Sequence, residues 1–356
     1  MNLIVHFCYE ALGHSGAAKQ AVTLIKAQDR DRNNNYDHLI VSFEVKAKSV
    51  SKSKLADVNV ISVPRSFFQI AKIVFELSKQ SSAFHLHGFN FAVILLSVIL
   101  RVKCILKTTL LGEDDFDSIR KSKYGMVKLF FVKKIHKNIA LSRKIFNVNS
   151  CYVNSEKILV IPNGVELGRQ ENVKSNDFCA VGLICPRKRT YDAIAFYIKN
   201  YLKIDESKLY VVGPGPEMSH LPEFDIGYYR KCLELAATVE QGRVVFAGNL
   251  NKSSLNKIYA NCIASILLSK NEGMPNVILE AMSFNCVPIV SEMDGVAYEI
   301  IDNKINGFIL KNLNENIEFS DIEKISIQNF PREKVDASFD VNKIALIYND
   351  IYKSKK

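Results

Sequence analysis

Residues 269–291 read Ser-Lys-Asn-Glu-Gly-Met-Pro-Asn-Val-Ile-Leu-Glu-Ala-Met-Ser-Phe-Asn-Cys-Val-Pro-Ile-Val-Ser. An apolar strand, Ala264–Leu268, precedes this stretch and another, Val287–Val290, closes it. Gly273 admits backbone angles barred to other residues, and Pro275 suits the first turn of a helix. The chain therefore leaves a strand, passes Glu272 in a tight turn, and enters a helix on which Glu280 lies about two turns along. Free N–H groups at such a helix start attract anions, phosphate above all. An acid beside a phosphate cradle requires a ligand that is both anionic and rich in hydroxyls, and a sugar nucleotide meets both conditions. Glu280 follows Val-Ile-Leu and precedes Ala-Met, so it breaks an apolar face at a desolvation cost that a partner must offset.

Outward from this point the pattern repeats. Strands are predicted at Phe178–Ile184, Lys208–Val212, Arg243–Ala247 and Gly307–Leu310, with helices at Tyr191–Asn200, Tyr228–Glu240, Ser253–Asn261, Asn276–Phe284 and Ala297–Asp302. The first half follows the same plan. Strands are expected at Asn2–Phe7, His38–Phe43, Val58–Val63, Ala83–His87, Lys103–Thr108 and Asn138–Leu141, and helices at Gly16–Gln28, Ser66–Lys79, Phe91–Leu100 and Lys123–His136. Strands alternating with helices imply parallel pairing. The predicted class is α/β, with two doubly wound, Rossmann-like domains facing a cleft at the carboxyl ends of their strands. The boundary falls near 165–176, in the polar run Gly-Arg-Gln-Glu-Asn-Val-Lys-Ser-Asn-Asp. This gives one domain at 1–165, a second at 166–335, and a last helix within 336–356 packing back toward the first domain.

A chain of 356 residues exceeds one ordinary core, and its 48% hydrophobic and 24% charged content is that of a soluble globular protein. The eight cysteines form no Cys-x-x-Cys pair and mostly sit in apolar strand-like runs. They read as reduced core residues of a cytoplasmic protein. Met1–Phe7 reads as a strand, with no signal peptide, and Phe91–Leu100 is too short to cross a bilayer.

The net charge of +10 lies entirely in the N-terminal half: residues 1–165 hold 24 Lys and Arg against 12 Asp and Glu, the remainder 23 against 25. No acid occurs from Ser118 to Ser155. A helical projection of 123–137 sets Lys123, Lys133, Lys134 and Lys137 on one arc with Met126 and Phe130 among them. Such a face is either a solvated surface or a seat on an anionic membrane. Nucleic acid is set aside, because no recognised binding motif is present.

Four segments together resemble the retaining, GT-B-fold glycosyltransferases of the family 4, glycogen-synthase-like group (glycosyl transferases group 1). Lys157–Glu166, Lys-Ile-Leu-Val-Ile-Pro-Asn-Gly-Val-Glu, looks like that family's domain-joining segment. Val181–Arg189, Val-Gly-Leu-Ile-Cys-Pro-Arg-Lys-Arg, resembles its first C-terminal strand and phosphate loop. Leu209–Glu217, Leu-Tyr-Val-Val-Gly-Pro-Gly-Pro-Glu, resembles the next strand and turn, and Glu272-x7-Glu280 matches the paired-glutamate signature. The resemblance implies transfer of a sugar from a nucleotide donor, UDP- or GDP-linked, to an acceptor hydroxyl with retention of configuration. No cofactor and no metal ion are expected, since positive side chains and backbone N–H groups stabilise the departing diphosphate in the family.

On that resemblance Lys188 is the diphosphate lysine. Many relatives carry an arginine directly after the strand glycine; here Leu183 follows Gly182, and Arg187 is the replacement charge. Glu272 stands by the donor sugar with the N–H groups of Gly273 and Met274. Pro275, Asn276 and Val277 form the phosphate-facing helix start, and Glu280 holds ribose hydroxyls. In the N-terminal half, Gly13 and Gly16 resemble the glycine loop near the donor phosphates. Alternation sends His85 and His87 to one face of a strand. His87 is either a core histidine or the family histidine near the reacting sugar. Thr109–Asp117 packs four acids into a loop, which is a solvated turn, an acceptor contact or general base through Asp114 or Asp115, or an oxygen-rich metal site.

The function expected is a glycosyltransferase of bacterial surface polysaccharide synthesis, using a saccharide or lipid-linked saccharide acceptor. Its location is cytoplasmic or peripheral on the inner membrane face. A sugar-nucleotide epimerase of the same architecture and an inactive carbohydrate-binding partner are the alternatives. Retention of Lys188, Glu272 and Glu280 favours activity, and the absence of Gly-x-Gly-x-x-Gly after the first strand argues against an oxidoreductase.

Overall fold

In the computed structural model the described residues are 2–13, 15–32, 34–169, 174–219 and 223–354. The chain divides into two compact units, Met1–Gly164 with Val341–Lys356, and Val165–Asp340. Part of the polar run expected as a boundary, residues 170–173, lies outside the described residues, as does His14 of the glycine loop.

The first unit is built on β1 (Leu3–Tyr9), α1 (Gly16–Arg30), β2 (Asp37–Glu44), β3 (Ser51–Leu55), β4 (Val58–Pro64), α2 (Phe67–Ser78), β5 (Ser81–His87), α3 (Phe91–Ile99), β6 (Lys103–Thr108), α4 (Phe116–Lys121), α5 (Gly125–Val132), β7 (Lys137–Ala140), α6 (Arg143–Ser150) and β8 (Ile158–Val160). Its eight strands lie in the order β3-β4-β2-β1-β5-β6-β7-β8. All neighbours are parallel except β3, which pairs antiparallel with β4. That edge strand was not expected from the sequence: Ser-Lys-Ser-Lys-Leu carries no apolar alternation, and its lysines suit an edge that must refuse further pairing.

The second unit runs β9 (Ser175–Val181), α7 (Thr190–Tyr201), β10 (Leu209–Val212), α8 (Ile226–Ala236), β11 (Val244–Gly248), α9 (Lys252–Asn261), β12 (Cys262–Leu267), α10 (Asn276–Ser283), β13 (Val287–Ser291), α11 (Ala297–Ile300), β14 (Phe308–Leu310), α12 (Phe319–Ile327) and α13 (Phe330–Ser338). Six parallel strands follow the order β11-β10-β9-β12-β13-β14. Every residue of β12 and β13 is buried, which is why these strands read as continuous apolar runs rather than alternating ones. Phe178 stacks on Tyr201 at a centroid distance of 4.4 Å within this core. The polar stretch 311–335 holds α12 and α13, where the sequence reading had no helix. Within the two helices only Ile322, Ile325, Pro331 and Val335 are buried, too sparse a stripe to stand out.

The last helix, α14 (Val341–Lys353), belongs to the first unit. Its Ile344, Tyr348 and Tyr352 pack with Ile4, Ala83, Ile105 and Ile139 under the sheet. Buried Gln28 donates to Asn349 at 2.6 Å, fixing α14 to α1. Gly164 lies so close beneath it that a Cβ there would meet Val341 Cα at 2.7 Å.

One expected helix is corrected. The arc over 123–137 does not exist, because α5 covers only Gly125–Val132. Tyr124 takes a left-handed φ of 60°, and Gly125 packs against Arg120, where a Cβ would lie 1.9 Å from the carbonyl oxygen. Lys123 precedes the helix, Lys133 caps it, Lys134 lies in the following turn, and Lys137 begins β7, donating to the Glu156 carbonyl at 2.9 Å. Met126 and Phe130 remain exposed on α5 beside Tyr124 and Val127, with the Lys134 ammonium 4.1 Å from the Phe130 ring centre.

Candidate active site

At the carboxyl end of β9 the chain turns at Gly182, whose φ of +149° is open to glycine. The end of β10 crosses beneath it so tightly that a Cβ on Gly213 would lie 1.8 Å from the Gly182 carbonyl oxygen. The Lys188 stem runs past this turn, its Cε 3.8 Å from where a Cβ on Gly182 would lie. The following loop, Cys185–Lys188, closes with the Lys188 N–H donating to the Cys185 carbonyl at 3.1 Å. It is tied to the turn ahead of α10 by the Lys270 N–H, which donates to the Arg187 carbonyl at 2.9 Å.

Across that tie the predicted charges meet. Lys188 Nζ sits 2.5 Å from Glu272 Oε1, with the two side chains 16% and 10% exposed. Arg187 Nη1 approaches the same oxygen at 3.5 Å and donates to the Asn271 carbonyl at 3.3 Å, while its Nη2 pairs with Glu223 at 2.8 Å. Lys188, Arg187 and Glu272 are thus one cluster, assembled from two loops 84 residues apart. Glu223 was missed by sequence reading, since a lone acid in a Pro-bearing loop carries no spacing signal. Gly213 was noted only as part of a strand and turn, and its contact with Gly182 was invisible.

Gly273, Met274 and Pro275 are buried, and Pro275 stands at the N-cap of α10 with φ −77° and ψ 85°. Its carbonyl already accepts from Ile278 at 2.9 Å and Leu279 at 3.3 Å, and no side chain caps the helix. The Asn276 and Val277 positions make up the opening of the helix, where its dipole favours negative charge. Glu280, half-buried further along α10, faces Tyr259. Burial raises the Tyr259 phenol well above its usual range, and the Glu280 charge adds to that effect.

In the first unit, Gly13 donates to the Glu10 carbonyl at 3.0 Å and Gly16 opens α1, whose N-cap Ser15 accepts from Ala18 at 3.3 Å. Asp114 and Asp115 are turned into their own loop. Asp114 accepts from the N–H groups of Thr109 and Leu110, at 2.9 and 2.7 Å, and from the Thr109 hydroxyl. Burial nevertheless pushes its carboxyl up to about 6. Asp115 caps α4 by accepting from Asp117 and Ser118, both at 3.0 Å. These contacts stabilise the turn and the helix start.

His87 lies in the interior, 3% exposed, on the face of β5 shared with His85. Its Nε2 meets His6 Nδ1 at 3.0 Å, and His6 Nε2 meets His38 Nδ1 at 3.1 Å. Burial, joined by mutual repulsion and the neighbouring Lys107, holds His6, His85 and His87 well below the ordinary imidazole range. Lys107 itself is brought down to about 8 by burial and donates to Asn163 Oδ1 at 2.7 Å. Sequence alternation put His85 and His87 together, but His6 and His38 arrive from β1 and β2.

Residues 176–322 match the family described as glycosyl transferases group 1. The UDP-Gal:alpha-D-GlcNAc-diphosphoundecaprenol alpha-1,3-galactosyltransferase of Escherichia coli is 29% identical over 209 residues, covering 53% of this chain and 50% of that enzyme. The chain thus matches half the length of that relative. Among solved structures, Anabaena Alr3699/HepE in complex with UDP and glucose aligns with a TM-score of 0.71 at 15% identity, over 98% of this chain and 99% of that one. The lipopolysaccharide outer core galactosyltransferase WaaB, apo form, aligns at 0.63 and 17% identity over 98% and 99%. At these identities the solved structures bear on the fold, which is GT-B.

Proposed function

We propose, from a chain whose residues 176–322 match the glycosyl transferases group 1 family, that the protein moves a sugar from a UDP-sugar to a lipid-diphosphate-linked saccharide. The transfer retains anomeric configuration and builds a bacterial surface polysaccharide. The observation that carries this reading is the Lys188–Glu272 pair, 2.5 Å apart, with the Lys188 stem over the Gly182 turn and Glu272 just ahead of a helix start that no side chain caps. A diphosphate seated there meets Lys188, Arg187 and the first N–H groups of α10. The positive charge that a departing diphosphate requires is therefore supplied by the chain itself. Displaced from Lys188, the Glu272 carboxylate is left to accept hydroxyls of the donor sugar, and Glu280 to hold ribose hydroxyls. The galactosyltransferase relative supports a UDP-linked donor and a diphosphoundecaprenol-type acceptor.

The acceptor side falls to the N-terminal unit. Exposed Tyr124, Met126, Val127 and Phe130 stand with Lys123, Lys133 and Lys134 on one short segment, a composition suited to an anionic lipid surface. Among the described residues no helix is long and apolar enough to cross a membrane, so attachment by this patch would be peripheral. The test is transfer of radiolabelled sugar from a panel of UDP- and GDP-sugars to undecaprenyl-diphosphate-linked GlcNAc. Label in the lipid phase from a UDP-sugar supports the reading. An epimerised nucleotide sugar without transfer would replace it with the epimerase alternative.

A further inference from the structure

We propose that His6, His85 and His87 form a buried binding site for a single divalent transition-metal ion of the zinc class. The strand register brings them together. His6 of β1 pairs directly with His85 of β5, and His87 lies two residues on, on the same face. One ring nitrogen from each falls within 4.8 Å of the others. The His6 Nδ1 and His87 Nε2 atoms are already 3.0 Å apart, near the roughly 3.3 Å that separates two ligand nitrogens on a tetrahedral ion with bonds of about 2.0–2.1 Å.

The outer contacts point the same way. His85 Nδ1 is held by the Tyr352 hydroxyl at 2.8 Å and His6 Nε2 by His38 at 3.1 Å, the outward partners that orient metal-bound imidazoles. The other ring nitrogen, His85 Nε2, has no hydrogen-bond partner although fully buried. A self-sufficient core of histidines would use each nitrogen; here His87 Nδ1 is also unmatched. Three imidazoles without a carboxylate select against magnesium and calcium and for zinc, cobalt, nickel or copper. Lys107, opposite His87 on β6, opposes any cation; its ammonium is drawn toward Asn163 Oδ1 at 2.7 Å. An ion here would join β1 to β5 and, through Tyr352, to α14. It would act as a staple within the N-terminal unit and independently of the donor chemistry.

The test uses the full-length chain without an affinity tag, stripped with chelator, loaded with Co²⁺ or Zn²⁺ and dialysed. About one equivalent of metal per chain is expected. The cobalt form should show the visible absorption of a nitrogen-ligated, low-coordinate ion, and Zn²⁺ should raise the thermal midpoint. His6→Gln and His85→Gln should lose the cobalt spectrum, while His136→Gln keeps it. A parent chain retaining less than about a tenth of an equivalent overturns the proposal whether or not the variants fold. So does a His6→Gln chain with the parent spectrum.

Discussion

Replacing Lys188 with methionine keeps the aliphatic stem and removes the ammonium that sits 2.5 Å from Glu272. Breaking one side of a fully buried ion pair costs about 3–5 kcal/mol. Here the carboxylate keeps Arg187 at 3.5 Å, and the two side chains are 16% and 10% exposed rather than sealed. A cost of roughly 2 kcal/mol follows, which lowers the melting midpoint of a unit this size by about 4–8 °C. Glu272→Gln should cost less, about 1 kcal/mol, because the amide oxygen still accepts from Lys188. In a double-mutant cycle the pair should therefore show a coupling of about 1 kcal/mol or more. Catalysis should suffer far beyond stability. Loss of a preorganised donor to the leaving group costs roughly 10²–10³ in kcat. The Glu272 charge, left with only the more distant Arg187, should also repel UDP. Calorimetric titration with UDP and transfer assays on folded protein separate these effects. A Lys188→Met protein that binds UDP as tightly as the parent and turns over within about threefold would refute the assignment.

Other consequences follow from single contacts. Gly213→Ala places a Cβ 1.8 Å from the Gly182 carbonyl oxygen, so the two turns must part; an overpacking cost of roughly 1–3 kcal/mol and a loss of UDP binding are expected, measured by urea unfolding and calorimetry. Asp114 has its carboxyl raised to about 6 by burial. Its folded value lies above its unfolded value, so the stability it contributes is full below about pH 4 and is lost as pH rises through 6. Relative to Asp114→Asn, the parent should therefore lose on the order of 3 kcal/mol between those limits, and parallel urea curves across the range would contradict this. Flotation with anionic vesicles should fall when Lys123, Lys133 and Lys134 are neutralised, each lysine near the surface being worth about 1 kcal/mol, and Phe130→Ser should weaken it further. A parent chain that never floats removes the membrane claim.

The parts of the fold that were legible are those whose burial writes itself into the sequence. The strand, turn, helix and strand from Cys262 to Ser291 could be read because β12 and β13 are buried throughout and Gly273 and Pro275 punctuate the turn. α12 and α13 escaped notice because each buries only a few residues, and β3 because an edge strand of lysines and serines lacks a buried face. The 123–137 arc failed for a local reason, the left-handed Tyr124 and the crowded Gly125, neither of which a helical projection can register. The site divides similarly. Glu280 announces itself by interrupting apolar sequence, Glu272 by its place in the turn between strand and helix, and Lys188 by its loop. That Lys188 and Glu272 touch, that Glu223 steadies Arg187, and that His6 joins His85 and His87 are products of strand order, which no spacing along the chain encodes.

The central claim is that the Lys188–Glu272 loops hold a UDP-sugar for transfer to a lipid-diphosphate-linked saccharide. Its most direct measurement is the initial rate of label transfer from a UDP-sugar to that acceptor by the parent, Lys188→Ala and Glu272→Ala proteins, each verified as folded. Transfer by the parent and a loss of at least about a hundredfold in both variants are expected. Equal rates in all three would contradict the claim.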